Sequence, residues 1–216
     1  MSISKRTRAG RELAKIADEA ASCTNCNLYR DATQTVFGEG PVPAPLMIIG
    51  EQPGDQEDRK GRPFVGPGGR MLDRALEAAG LDRDRVYITN AVKHFKWTAR
   101  GKRRIHKRPN SEEMAACKPW LEREIEHVQP DALIAMGVTA VKTLFGSGAT
   151  ISRLRGSVQK SERIGPTLPT IVTVHPASIV RLQERDERHA ELDALVKDLK
   201  MAAREAGVGR KGKGRH

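Results

Sequence analysis

The chain has 216 residues, 38% of them hydrophobic, and its 38 lysines and arginines against 27 aspartates and glutamates give a formal net charge of +11. That length buries one sizeable core and excludes two full-sized domains; the apolar runs are only strand-sized, which excludes a membrane-spanning helix, and three cysteines exclude a paired disulfide framework. The excess charge is clustered, which points to a polyanionic partner, nucleic acid first, and with no amphipathic basic helix in view a membrane surface is disfavoured.

From Met1 to Ala21 the chain is charged and helix-prone, without the apolar stretch of a secretory signal, so a cytoplasmic, reducing location is expected. Residues 9–40 read as a helix followed by a cysteine-containing loop. β-prone runs follow at Leu46–Ile49, Val86–Thr89, Ala132–Met136 and Thr170–Val174, and helical spacing marks Arg70–Ala79, Ser111–His127 (starting after Pro109) and Glu187–Ala206. Strands alternating with helices predict an α/β fold, a three-layer α/β/α arrangement around a central four-stranded parallel sheet with right-handed crossovers. One domain is expected over residues 1–208, a monomer, with a basic disordered tail at 209–216 that is a solvated tail or a weak phosphate contact.

In an open parallel sheet, ligands bind outside the carboxyl ends of the strands. Those ends read Gly50-Glu51-Gln52-Pro53-Gly54, then Asn90, Gly137 and His175-Pro176, so a carboxylate, a carboxamide and an imidazole converge on one crevice. The set suits a hydrolase, a transferase or a glycosylase; a histidine after a strand is also often a hydrogen-bonded core residue, and an asparagine there a turn residue. Neither glycine cluster completes a nucleotide-binding fingerprint, which disfavours a nucleotide cofactor.

Cys23-x-x-Cys26, Cys117 and His94 form a second constellation. Three thiolates and an imidazole fit zinc or an iron-sulfur cluster, zinc being the commoner pattern; the alternative is a buried helix cysteine and an exposed loop histidine. The third feature is Lys93–Arg108, KHFKWTARGKRRIHKR, in which eight lysines and arginines occur with no acid and Phe95 and Trp97 are interleaved. Cations that contact phosphates and aromatics that stack on bases suit single-stranded or locally opened DNA, although a charge run is often only a solvated face.

The runs GEQPGDQEDRKGRPFVGPGGRMLDRAL (50–76), YITNAVKH (87–94) and HPASIVR (175–181), with the Cys117 helix, resemble the family 4 uracil-DNA glycosylases from Cys23 to about Arg181. The resemblance implies the uracil-DNA glycosylase-like fold and a 4Fe-4S cluster in place of zinc. Two departures stand out: Lys93-His94 where that family has Lys-Cys, so that the cluster ligands become Cys23, Cys26, His94 and Cys117, and an inserted basic loop ending in Arg103-Arg104-Ile105-His106. With Gln52 these departures resemble the UdgX group, whose members bond covalently to DNA through the histidine of this loop.

What the resemblance implies is excision of uracil from DNA, single-stranded at least, on a flipped-out nucleotide. Phe64 would stack on the base, and Asn90 would read its polar edge. His175 would donate to the uracil oxygen, Glu51 would stabilise the sugar cation, and Gln52 would orient the base or the carboxylate. His106 would then attack C1′ in place of water, giving free uracil and one turnover per molecule, its pKa lowered by five cations between Lys102 and Arg108. Lys102, Arg103, Arg104, Lys107, Arg108 and Arg181 would grip phosphates. The alternatives are a multiple-turnover glycosylase whose loop only binds DNA, a non-catalytic DNA-binding iron-sulfur protein, and a structural zinc protein.

Overall fold

The computed structural model describes residues 3–161 and 163–208; the tail expected from residue 209 lies outside the described residues. After helix α1 (Arg8–Ala20), the chain enters β1 (Leu46–Gly50), α2 (Asp55–Lys60), α3 (Pro67–Ala79) and β2 (Val86–Asn90). A hairpin of β3 (Trp97–Arg100) and β4 (Arg103–His106) leads to α4 (Ser111–Val128), β5 (Ala132–Met136), α5 (Val138–Phe145) and the short α6 (Ile151–Leu154). The chain then forms β6 (Val158–Ser161), β7 (Leu168–Thr173), α7 (Pro176–Arg181) and α8 (Arg185–Glu205).

The four predicted strands form the parallel part of a sheet ordered β2-β1-β5-β7, and β6 adds a fifth, antiparallel strand at the β7 edge. The expected count of four is corrected to five. In β6, Val158-Gln-Lys-Ser has one strongly β-prone residue and only Ser161 is buried, so an edge strand leaves no apolar run to read.

The inner strands β1 and β5 are buried at every position because both faces of the sheet are covered. Alternate residues point opposite ways: Leu46 and Ile48 of β1 pack under α3 and α8, whereas Met47 and Ile49 pack with α1, α4 and α5. Helix starts follow their local chemistry. Pro67 sits in the first turn of α3, and Asn110 and Glu113 close a reciprocal cap on α4. The register pairs Gly50 with Asn90, which brings the ends of β1 and β2 side by side.

Candidate active site

Past those ends the chain is tied together: Ala91 N–H donates to the Gly50 carbonyl (2.9 Å) and Val92 N–H to that of Glu51 (3.0 Å). A cavity of about 290 Å³ opens there, lined by Gln52, Phe64, Asn90, His175 and Arg181 among others. A second, of about 370 Å³, adjoins it and is lined by Glu51, Gln52, His106, Arg108, His175 and Arg181. The predicted site residues thus divide into a base-sized chamber and a charged mouth, with Gln52, His175 and Arg181 on both.

In the chamber, Asn90 is buried and its side-chain oxygen has no hydrogen-bond partner. A buried acceptor without a partner is costly, so this atom is set for a donor from a ligand. Gly50 makes the space: a Cβ there would overlap the Asn90 oxygen and come within 2.6 Å of the Phe64 ring. Phe64 adopts a left-handed φ of 53°, held by close backbone packing on Gly69 and by Arg83, whose guanidinium reaches the Phe64 carbonyl at 3.4 Å. Its ring is stacked against His175, with centroids 5.4 Å apart.

His175 caps α7, and its Nδ1 accepts the Ala177 N–H at 3.2 Å. The neutral ring therefore carries its proton on Nε2 as a donor. Burial lowers its pKa below the ordinary 6.5, with Glu51 opposing the shift and His106 and Arg181 adding to it, so the neutral form is favoured. The Glu51 carboxylate accepts the Thr139 N–H at 2.8 Å from the first turn of α5, where the helix dipole favours an anion. Gly137, with φ +93°, leaves room for it, since a Cβ would come within 2.6 Å of Glu51 Cγ.

His106 ends β4, opposite Trp97 in the register of the hairpin, and faces the same mouth as Glu51. Its residue surface is open to solvent, but the ring lies among protein atoms, and this partial burial lowers its pKa first. Glu51 opposes the shift; Arg181 and Arg108 reinforce it. The cause anticipated from five loop cations is thus corrected: desolvation leads, and of those cations Arg108 is the foremost contributor, behind Arg181.

The hairpin itself was not anticipated. Gly101-Lys102, with Gly101 at φ +58°, separates two four-residue strands, and that two-residue loop was the available signal. Arg104 is engaged within the protein: it pairs with Asp55, reaches Asp58 at 2.6 Å and Thr33 at 3.1 Å, and lies over the rings of Phe95 (5.3 Å) and Trp97 (5.5 Å). Phe95 is buried, and Trp97 donates its indole N–H to the Asp31 carbonyl at 2.9 Å. These aromatics brace the hairpin, where base-stacking platforms had been expected. Lys102, Arg103, Lys107 and Arg108 are exposed along it.

Gln52, on the wall of both cavities, also makes contacts that the sequence did not announce. Its amide nitrogen donates to the carbonyls of Lys107 (2.8 Å) and Lys96 (3.3 Å), and its oxygen accepts the Lys96 N–H at 3.1 Å, so it clamps both legs of the hairpin.

On the far side of β2's exit lie the cysteines. Cys26 and Cys117 belong to one small apolar cluster, Lys93 N–H donates to Cys117 Sγ (3.2 Å), and the Trp120 indole donates to Cys23 Sγ (3.2 Å). Burial pushes the Cys117 thiol up to about 11 and raises that of Cys26. His94 is buried. Thr35 Oγ1 donates to the Ala20 carbonyl (2.9 Å) and so accepts the His94 Nε2–H (2.9 Å), which leaves Nδ1 with a lone pair and no partner. An orphaned imidazole nitrogen, three thiols and two N–H donors to sulfur fit the donor set of an iron-sulfur cluster. Among the described residues no three histidine, cysteine, aspartate or glutamate side chains are set to hold a single metal ion.

Residues 37–200 match the model of the uracil DNA glycosylase superfamily. The chain is 35% identical over 188 residues to the type-4 uracil-DNA glycosylase of Archaeoglobus fulgidus, covering 85% of this chain and 91% of that protein. The type-4 uracil-DNA glycosylase of Thermotoga maritima is 34% identical over 188 residues, 86% and 93% of the two chains. That of Sulfurisphaera tokodaii is 35% identical over 171 residues, 77% of this chain and 74% of its own. No helix among the described residues is long and apolar enough to cross a membrane. With its fold, its strand-end cavity and these relatives, the chain belongs to the uracil DNA glycosylase superfamily.

Proposed function

We propose that the protein excises uracil from DNA and that His106 captures the resulting sugar. The observation that carries the first part is the buried, unpartnered Asn90 oxygen in a base-sized chamber walled by Phe64. Uracil offers an N3–H donor to that oxygen, and the other end of the carboxamide can donate to O4; cytosine presents the opposite pattern. As the C1′–N1 bond breaks, its electron pair leaves with uracil. The Nε2–H of neutral His175 stabilises the charge on the base oxygen, while the Glu51 carboxylate faces the oxocarbenium-like sugar.

The mouth supports the second part. His106 shares it with Glu51, on a hairpin fixed by Gln52 and by the Arg104–Asp55–Asp58 network. A neutral imidazole held there can bond to C1′ ahead of water, at an effective molarity on the order of 10⁵ M. Arg108 and Arg181 flank the mouth and suit phosphates on either side of the extruded nucleotide, with Lys102, Arg103 and Lys107 extending the grip. Cys23, Cys26, Cys117 and His94 Nδ1 would hold a 4Fe-4S cluster. When bound it supplies a cross-link between the segment after α1, the loop after β2 and α4.

The test counts uracil. With single-stranded DNA carrying one uracil in excess over protein, the wild type releases at most one uracil per molecule, and Asn90→Leu and Glu51→Gln release almost none. Many uracils per molecule, unchanged in His106→Gln, would establish a multiple-turnover glycosylase. No release by the wild type would reject the reading.

A further inference from the structure

Directly beneath the base-reading Asn90 lies a buried ion pair that the proposed chemistry does not use. Lys93 and Glu124 are in contact, their side chains 1% and 0% exposed. Lys93 Nζ also donates to the Asn90 carbonyl (2.7 Å) and to Thr89 Oγ1 (2.7 Å). Glu124, from the middle of α4, accepts in addition the Thr89 hydroxyl (2.8 Å), the Tyr87 hydroxyl (3.0 Å) and the Gly38 N–H (3.0 Å). The hydroxyl of Tyr87 stays protonated, its pKa raised well above the ordinary value by burial and by the Glu124 charge.

Taking two charges wholly out of water is costly, and a pair of apolar residues of similar volume often serves stability as well. The placement of this pair is informative. β2 ends at Asn90, after which the chain turns away; the ammonium grips the last carbonyl of the strand from below, while Ala91 and Val92 tie the following residues to β1. The Asn90 peptide is thereby fixed on both sides. Its side chain has no hydrogen bond to fix its oxygen, so its position over the chamber comes from its backbone.

We infer that the Lys93–Glu124 pair is a positioning device for uracil recognition: by anchoring the Asn90 carbonyl to α4, it sets the height and direction from which the Asn90 carboxamide meets the base. Lys93 and Glu124 touch neither substrate nor the reacting bond. The inference rests on uracil excision as the activity, and it goes further by naming what makes the site selective.

The test compares the wild type, Lys93→Met, Thr89→Val and the double variant Lys93→Met with Glu124→Leu, which removes the pair without leaving a lone buried charge. Thermal unfolding, single-turnover excision, inhibition by free uracil and affinity for uracil-free single-stranded DNA are measured for each. Displacing a binding group by about 1 Å can cost on the order of 100-fold in rate. The double variant should therefore fold, bind uracil-free DNA as the wild type does, and lose on the order of 100-fold in excision, with weaker inhibition by free uracil. Thr89→Val, which keeps the pair but removes the hydroxyl that contacts both of its members, should show the same pattern more mildly. If either folded variant excises uracil and responds to free uracil as the wild type does, the inference is overturned. A wild type that releases no uracil would instead reject the activity on which it rests.

Discussion

Gln52 donates a 2.8 Å hydrogen bond to the carbonyl of Lys107, the residue that follows His106, and through its other contacts holds Lys96 on the facing leg of the hairpin. A residue of the first strand's exit thus fixes the distance between Glu51, its neighbour in sequence, and His106. Gln52→Leu alters one wall residue of the base chamber but removes every hydrogen bond from Gln52 to the hairpin, so it should loosen His106 more than it disturbs the base. The expected outcome is a drop on the order of 10-fold or more in covalent adduct relative to uracil released, because attack depends on orientation more than excision does. Quantifying adduct and alkali-cleavable abasic DNA on one denaturing gel checks it.

Arg104 supports the same hairpin from the other side. Its side chain is 12% exposed, and Asp58, fully buried, is among its partners. Arg104→Met leaves Asp58 with only the Thr33 contacts and should cost about 3 kcal/mol of stability, as breaking one half of a buried pair does. Denaturant unfolding measures that loss. Capture should fall further than uracil release.

Gly50 separates Asn90 from Phe64, and any side chain there enters both. Gly50→Ala should reduce single-turnover excision on the order of 100-fold while leaving affinity for uracil-free DNA unchanged. Equal loss of both would mean that the strand end had been disrupted as a whole.

pH separates the two imidazoles from the rest of the site. The pKa values of His106 and His175 both lie below the ordinary 6.5, burial being the first cause in each case. Both act as neutral rings, so excision and capture should rise with pH through a midpoint below 6.5 and then level off. For stability, the unfolded chain binds more protons than the folded one between the folded pKa values and 6.5. Stability from these groups is therefore complete above 6.5 and is lost as pH falls through that window. Single-turnover rates from pH 5 to 8, set beside unfolding at the same pH values, test both statements; a rate that falls with rising pH would contradict the assignment.

Much of this was legible in the chain itself. The buried strands announce themselves because both sheet faces are covered, and with them come Glu51, Asn90 and His175 at the strand ends. The β3–β4 hairpin was hidden under its charge: Lys and Arg dominate the segment, and Gly101 was the only turn mark. Arg104 cannot be told from Arg103 by type or spacing; alternation along β4 turns one inward to Asp55 and Asp58 and leaves the other exposed. The partnership of Lys93 with Glu124 spans 31 residues and two elements, and no local pattern encodes it.

His94 offers a direct check on the cysteine cluster. His94→Cys should retain brown colour, iron and acid-labile sulfide, whereas His94→Ala should lose them, since Nδ1 would be the fourth ligand. Equal iron content in all three proteins would remove His94 from the ligand set.

The central claim is that His106 becomes bonded to the sugar. End-labelled single-stranded DNA with one uracil, mixed with wild type or His106→Ser, boiled in SDS and run on a denaturing gel, tests it most directly. A slow band that survives boiling, requires uracil and is absent with His106→Ser is the predicted result. Abasic DNA accumulating without such a band, or a band that persists in the variant, would contradict it.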